Sequence, residues 1–249
     1  MRTLLRLAFD GAPFCGWQSQ PRQRTAQGDI DLALSTLLRQ TIETVGAGRT
    51  DTGVHAKEMY VHFDWQPELA IDIDNLRHLK YRLNRFLDPA IHIKEIREVA
   101  GDWHARFDAI SRSYDYLMSD KGSPFYRNHA WMVSEMPNVK LMNKAAAVLL
   151  TMTDFASFCK NGSNNKTTLC NVTKAEWVEK DELWVFEITA DRFLRNMVRA
   201  VVGSLYEVGK GNWSVEDFID RCEEKNRGAM GTSAPAQGLY LMNVTYNNL

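Results

Sequence analysis

The segment richest in potential chemistry is Gly46-Ala47-Gly48-Arg49-Thr50-Asp51-Thr52-Gly53-Val54-His55-Ala56. Glycines at 46, 48 and 53 permit backbone conformations closed to other residues, which predicts a tight, exposed loop around Asp51. Arg49 stands two residues before it, and a carboxylate held beside a guanidinium suits a nucleophile or base better than a general acid. Taken alone, the segment reads more simply as a hairpin turn with an Asx-turn aspartate and a solvated arginine. Asp51-Thr52-Gly53 also spells the aspartic-protease triplet, but that chemistry needs a second carboxylate sharing one proton. No other Asp-Thr-Gly or Asp-Ser-Gly occurs, and Gly48, Arg49 and Thr50 stand where such a dyad needs an apolar strand. His55, His62 and His104 have no acidic or cysteine neighbour at a recognised ligand offset, so no metal is expected.

Two further groups bear charge or aromatic surface. Arg192, Arg195 and Arg199 fall at i, i+3 and i+7 of a segment that reads as a helix from Phe193, which lines them on one face. Three guanidiniums in two turns repel one another unless phosphates or a carboxylate such as Asp51 face them; an inter-helix salt-bridge network serves equally. Downstream of Phe107, strand alternation sends Arg112, Tyr114 and Tyr116 to one face. There they could stack bases and hold phosphate, or pack as core tyrosines with satisfied hydroxyls. The loop from Phe14 to Arg24 adds Trp17, Arg22 and Arg24.

The elements that must position these residues follow a repeated order. Thr3 to Phe9 reads as a strand, and Ile30, Ala33, Leu34, Leu37 and Leu38 form a helical apolar stripe. Thr41 to Val45 and Met59 to Phe63 flank the glycine-rich turn as strands. Leu76, Leu79, Leu83 and Phe86 give a second helix with Asp72 or Asp74 as its cap, and Ile91 to Val99 closes the half. The second half repeats the order: a strand from Arg112 to Met118, then a helix capped by Asn138. A hairpin of Leu169–Val178 and Leu183–Ala190 comes next, then the helix bearing Met197 to Val208. A short helix from Ser214, with a capping box to Asp217, precedes a last strand from Gly238 to Tyr246. The expected fold is α+β, two ferredoxin-like β-α-β-β-α-β halves, 1–100 and 101–249, with adjoining antiparallel sheets around a central cleft.

Composition narrows the classes. The chain has 249 residues, 30 Lys+Arg against 31 Asp+Glu and a net charge of -1, with 45% hydrophobic residues. That excludes disorder and a polyanion binder that works by bulk charge. Charge is nonetheless segregated. Arg2 to Arg24 holds four arginines against Asp10, and Leu76 to Arg112 holds eight cations against five anions, a net of +3 in each. Carboxylates collect around Glu216, Asp217, Asp220, Glu223 and Glu224. Four cysteines form no C-x-x-C pair, and neither a signal h-region nor an 18-residue apolar run appears, so a cytoplasmic location is expected.

Taken together these segments resemble the TruA family of tRNA pseudouridine synthases. The resemblance rests on Phe9-Asp10-Gly11 with Phe14-Cys15-Gly16-Trp17-Gln18-Ser19-Gln20-Pro21, on Gly48 to Ala56, and on His104-Ala105-Arg106-Phe107. It continues through Arg112-Ser113-Tyr114-Asp115-Tyr116, Phe193-Leu194-Arg195-Asn196-Met197-Val198-Arg199 and Ser233 to Tyr240. It implies isomerisation of uridine to pseudouridine in the anticodon arm of tRNA, at positions 38, 39 and 40. A homodimer without metal, cofactor or membrane association is implied as well. By the same resemblance Asp51 is the catalytic nucleophile, with attack on ribose or on uracil left open. Tyr114 packs on the target base and Arg199 pairs with the aspartate. Arg49 or Arg195 would hold the flipped nucleotide's phosphate, and Arg112 and His55 are further expected substrate contacts. The chain departs from the family pattern at Phe9, at Lys57-Glu58-Met59 and at Asp191; Glu58 and Asp191 would add negative charge near the site. A non-catalytic RNA-binding protein of two RRM-like units is the alternative, although plain binding gives Asp51 no role.

Overall fold

Alternation along the first strand, β1 (Arg2–Phe9), buries Thr3, Leu5, Leu7 and Phe9 on one face and turns Arg2 and Arg6 to the other. The computed structural model describes residues 1–249 except 71, 72, 74, 161, 163–165, 248 and 249. Its contacts divide the chain into two units: Met1–Ile110 with Leu241–Leu249, and Ser111–Tyr240.

In the first unit, α1 (Ala26–Leu38) is capped by Thr25 and buries the whole expected stripe of Ile30, Ala33, Leu34, Leu37 and Leu38. The short β2 (Val45–Gly46) precedes β3 (His55–Asp64), α2 (Leu76–Phe86) and β4 (Ile91–Glu98). Residues 41–44 were expected in a strand but their polar groups are engaged elsewhere. The Ile42 N–H donates to Ser35 Oγ at 2.9 Å, the Thr44 N–H to Asp31 Oδ1 at 3.0 Å, and Gln27 Nε2 to the Thr44 carbonyl at 2.6 Å. The cap of α2 is Asn75, whose side chain accepts from the His78 N–H; Asp72 and Asp74 lie outside the described residues. The strand order is β4-β1-β3, with β2 also on β3.

In the second unit, β5 (Ala109–Ser119) pairs with β8 (Leu183–Ala190), which forms the expected hairpin with β7 (Val172–Lys180). The two-residue β6 (Trp131–Met132) runs parallel to β5. Three α-helices among the described residues complete the unit: α3 (Val139–Val148), capped by Asn138; α4 (Met197–Gly209); and α5 (Val215–Glu223), where both bonds of the Ser214–Asp217 capping box form. The last strand, β9 (Leu239–Tyr246), leaves this unit and enters the first, where it lies beside β3. Each unit is thus α+β with a mostly antiparallel sheet. No helix among the described residues is long and apolar enough to cross a membrane.

Register explains which sheet face of the second unit is closed. Tyr116, Phe186 and Trp177 stand side by side and are buried. The neighbouring row, Asp115, Glu187 and Glu176, presents carboxylates, with Lys174 and Lys180 both paired to Glu187.

Candidate active site

The Asp51 loop connects β2 to β3 and is held by a second loop, residues 11–17, through contacts that only glycine allows. A side chain at Gly11 would lie 2.1 Å from the Val54 carbonyl oxygen, and one at Gly16 would lie 2.5 Å from that of Thr50. Gly16 also sits at φ 88, a conformation costly for any residue with a Cβ. The Trp17 N–H donates to the Thr50 carbonyl at 3.2 Å, and the Gly53 N–H to the Phe14 carbonyl at 3.4 Å. Below them Phe9, Phe14 and Trp17 pack ring on ring, each buried. The indole fills the space beside Gly46, where a Cβ would meet its Nε1 at 2.6 Å. Asp51 closes a turn by accepting the Val54 N–H at its carbonyl, 3.1 Å away, with Gly53 at φ 78. The expected tight loop is therefore present, with Asp51 half-buried and Arg49 exposed.

His55 does not reach solvent. It is 3% exposed, and its Nδ1 accepts the Gly11 N–H at 3.0 Å, so it ties the two loops together at the start of β3. His62 is buried too, and burial, with His104 and Arg2 nearby, lowers its pKa to about 4. A neutral ring then leaves Nδ1 able to accept the Ala105 N–H, 3.1 Å away. Beside the Asp51 loop lies a cavity of about 180 Å³ whose lining includes Trp17, Gln18, Gly48, Arg49 and Arg106.

Much of the basic excess counted in the sequence is spent locally. Arg2 pairs with Asp64, Arg6 with Glu58 and Glu95, and Arg24 with Asp29 and Asp88. Lys94 completes the neutralisation of Glu58 at 2.5 Å. The negative charge expected from Glu58 near the site is thus matched by two cations.

The second unit carries the other candidates. Tyr114, on β5, is half-buried with its ring edge-on to Phe193 at 5.0 Å. Two places along, Tyr116 is fully buried and donates its hydroxyl to the Pro235 carbonyl at 2.8 Å. Of the two aromatic roles weighed from sequence, Tyr116 therefore takes the core one. Arg112 donates to the Asp191 carbonyl at 2.9 Å. Arg199 Nε donates to the Ala234 carbonyl at 2.7 Å, and the Ala234 N–H returns a bond to the Arg199 carbonyl at 2.9 Å.

The expected stripe of three arginines does not form. α4 begins at Met197 because Asn196 adopts a left-handed conformation, φ 66, and donates its Nδ2 to Ser233 Oγ at 2.6 Å. Arg192 and Arg195 precede the helix, and Arg199 is the member of the three that lies on it. Phe193 and Ala234, which support Tyr114 and Arg199, had no assigned role in the sequence, although both lie in segments shared with the resembled family.

A family model described as tRNA pseudouridine synthase matches residues 145–247. A tRNA pseudouridine synthase A of Bacteroides fragilis is 45% identical over 246 residues, covering 98% of this chain and 96% of its own. The protein of that name in Porphyromonas gingivalis is 43% identical over 98% of this chain and 97% of its own. Its counterpart in Acetivibrio thermocellus is 36% identical over 97% and 98%. With identity this high over nearly the full length of both chains, the protein belongs to the tRNA pseudouridine synthase A family.

Proposed function

We propose that the protein is an isomerase that converts uridine to pseudouridine in the anticodon arm of tRNA, at positions 38, 39 and 40. The observation that carries the reading is Asp51 on a loop locked by Gly11, Gly16 and Trp17, in a chain so like its relatives. Asp51 is the nucleophile. The N1–C1′ bond of the target uridine breaks, the base turns, a C5–C1′ bond forms, the C5 proton leaves to water and N1 takes up a proton from water, so the product is an isomer of the substrate. The carboxylate leaves again at the end, and the cycle calls for no cofactor or metal.

Tyr114 packs on the target base and Arg199 supports the aspartate's charge. A uridine stacked in a stem must first be extruded, at a cost of a few kcal/mol that phosphate contacts offset. Arg49, Arg195 and Arg112 supply such contacts, while buried His55 holds the loop rather than the substrate. The catalytic loop then belongs to an N-terminal half, 1–100, and the tyrosine and arginine to a C-terminal half, 101–249. Ferredoxin-like halves are supported by the β4-β1-β3-β2 arrangement in the first unit. The enzyme works in the cytoplasm as a homodimer.

The test is tritium release from unmodified tRNA carrying 5-tritiated uridine. Release of tritium to water, stoichiometric with pseudouridine, is expected; its absence on every unmodified tRNA tried would refute the isomerase and leave an RNA-binding protein.

A further inference from the structure

Phe107 is 74% exposed, yet the backbone of the turn that carries it is fully bonded. Every backbone N–H from His104 to Asp108 has an acceptor. His104 N–H donates to Asp108 Oδ2 at 2.7 Å, and Ala105 N–H to His62 Nδ1 at 3.1 Å. Arg106 and Phe107 N–H both donate to His104 Nδ1, at 3.1 and 3.3 Å, and Asp108 N–H donates to the His104 carbonyl at 3.1 Å. The Tyr246 hydroxyl donates to the Ala105 carbonyl at 2.6 Å.

Rings continue the support inward. Phe107 lies on His104 with centroids 4.2 Å apart, His104 on His62 at 4.7 Å, and His62 against Trp103 at 5.9 Å. An exposed phenylalanine forgoes burial energy, and the turn's backbone hydrogen bonds are made without the ring. Pre-ordering does serve a binding surface, because the ordering cost is met before the ligand arrives.

Arg106 supplies the charge that such a ligand needs. Its guanidinium carbon is 5.8 Å from the Phe107 ring centroid, and the same residue lines the cavity with Arg49, Gln18 and Gly48. An aromatic face beside a guanidinium that also lines a cavity with Arg49 fits a nucleotide, the base on the ring and a phosphate toward the cavity.

We propose that Phe107 and Arg106 form a stacking subsite for an unpaired nucleotide of the tRNA. This rests on the tRNA reading above. The subsite contributes affinity and register, not bond chemistry.

The test uses the full chain, an unmodified tRNA transcript and a salt series, with Phe107→Ala, Phe107→Trp and Arg106→Ala. Phe107→Ala is expected to weaken binding at least about fivefold, as loss of one base–aromatic stack does. The slope of log affinity against log salt should not change, because no phosphate contact is removed, and Phe107→Trp should restore affinity. Arg106→Ala should instead flatten the slope by about one. Binding by Phe107→Ala within twofold of wild type would overturn the subsite. So would a change in its oligomeric state by sedimentation, which would mark Phe107 as a contact between copies. Tritium release keeps the two claims separable. Wild type that binds tRNA but releases none, with Phe107→Ala still weakened, would sink the isomerase and leave the subsite standing. Release by wild type with Phe107→Ala unimpaired in affinity would do the reverse.

Discussion

Arg199 shows how one side chain is aimed. Its Nε–H is committed to the Ala234 carbonyl, and Ala234 is in turn bonded to the Arg199 backbone, so the guanidinium plane is fixed from both ends. Lysine would keep the charge but lose that planar donor. Arg199→Ala is therefore expected to lower kcat by about 10²–10³, the usual loss when a preorganised charge partner is removed, and Arg199→Lys to recover only part of it. Affinity for tRNA should change by no more than a few-fold in either; equal losses of kcat and affinity would contradict a role centred on Asp51. The two tyrosines of β5 show what a sequence pattern can convey at this scale. Alternation puts Tyr114 and Tyr116 on one face, and the structure agrees. Depth is another matter: Tyr116 is closed in by Phe186 and the Pro235 carbonyl, while Tyr114, two residues nearer the strand's start, stays half-buried against Phe193. Pro235 is 119 positions from Tyr116, a contact no local period encodes.

The Asp51 loop is held in place by the elements around it. Gly16→Ala would place a methyl 2.5 Å from the Thr50 carbonyl and strain a φ of 88, so it should displace the Asp51 loop. A loss of at least tenfold in kcat, with a fall of several °C in Tm, is the expected outcome. Gly48→Ala is the control, since a Cβ there meets nothing within 4 Å, and its Tm should stay within about 1 °C of wild type. Similar behaviour of the two variants would contradict the interlocked loops. On the other side of β2, Asp31 of α1 holds Thr44 by its N–H and hydroxyl. Burial pushes the Asp31 carboxyl up to about 6, partly offset by those two bonds. The folded protein thus binds this proton more tightly than the unfolded chain. The stability involved is fully present below the ordinary carboxylate range and is lost as pH rises through 6. Asp31→Asn keeps the acceptor without the charge. After solvent screening it should be more stable than wild type at pH 8 by about 1 kcal/mol, or about 2–4 °C, with the gain gone at pH 4. A variant less stable than wild type at pH 8 would refute this. Helix caps such as Asn138 and the Ser214–Asp217 box were legible because their bonds close within one turn. The start of α4 was not: its apolar period runs on unbroken, and the left-handed Asn196 that ends it answers to Ser233, 37 positions away.

At the scale of the molecule, a net charge of -1 and a nucleic-acid substrate are compatible because charge is placed rather than summed. Arg2, Arg6 and Arg24 are matched by Asp64, Glu58, Glu95, Asp29 and Asp88, most of them 52 to 89 positions distant. The local excess of +3 in the first 24 residues therefore overstates the field there, and no count along the chain could have revealed it. Arg49 and Arg106 line the cavity beside the Asp51 loop, where the proposed function brings the RNA. The family, by contrast, was legible from the order of its motifs alone, since each keeps its residues adjacent in the chain. In the proposed reaction Asp51 is the group whose loss should abolish the chemistry while tRNA binding persists. The most direct measurement is tritium release from 5-tritiated-uridine tRNA by wild type and Asp51→Ala, with tRNA affinity determined for both. Release by wild type, none above background by the variant, and affinities within a few-fold of each other are expected; release by Asp51→Ala at a rate near wild type would contradict Asp51 as the nucleophile.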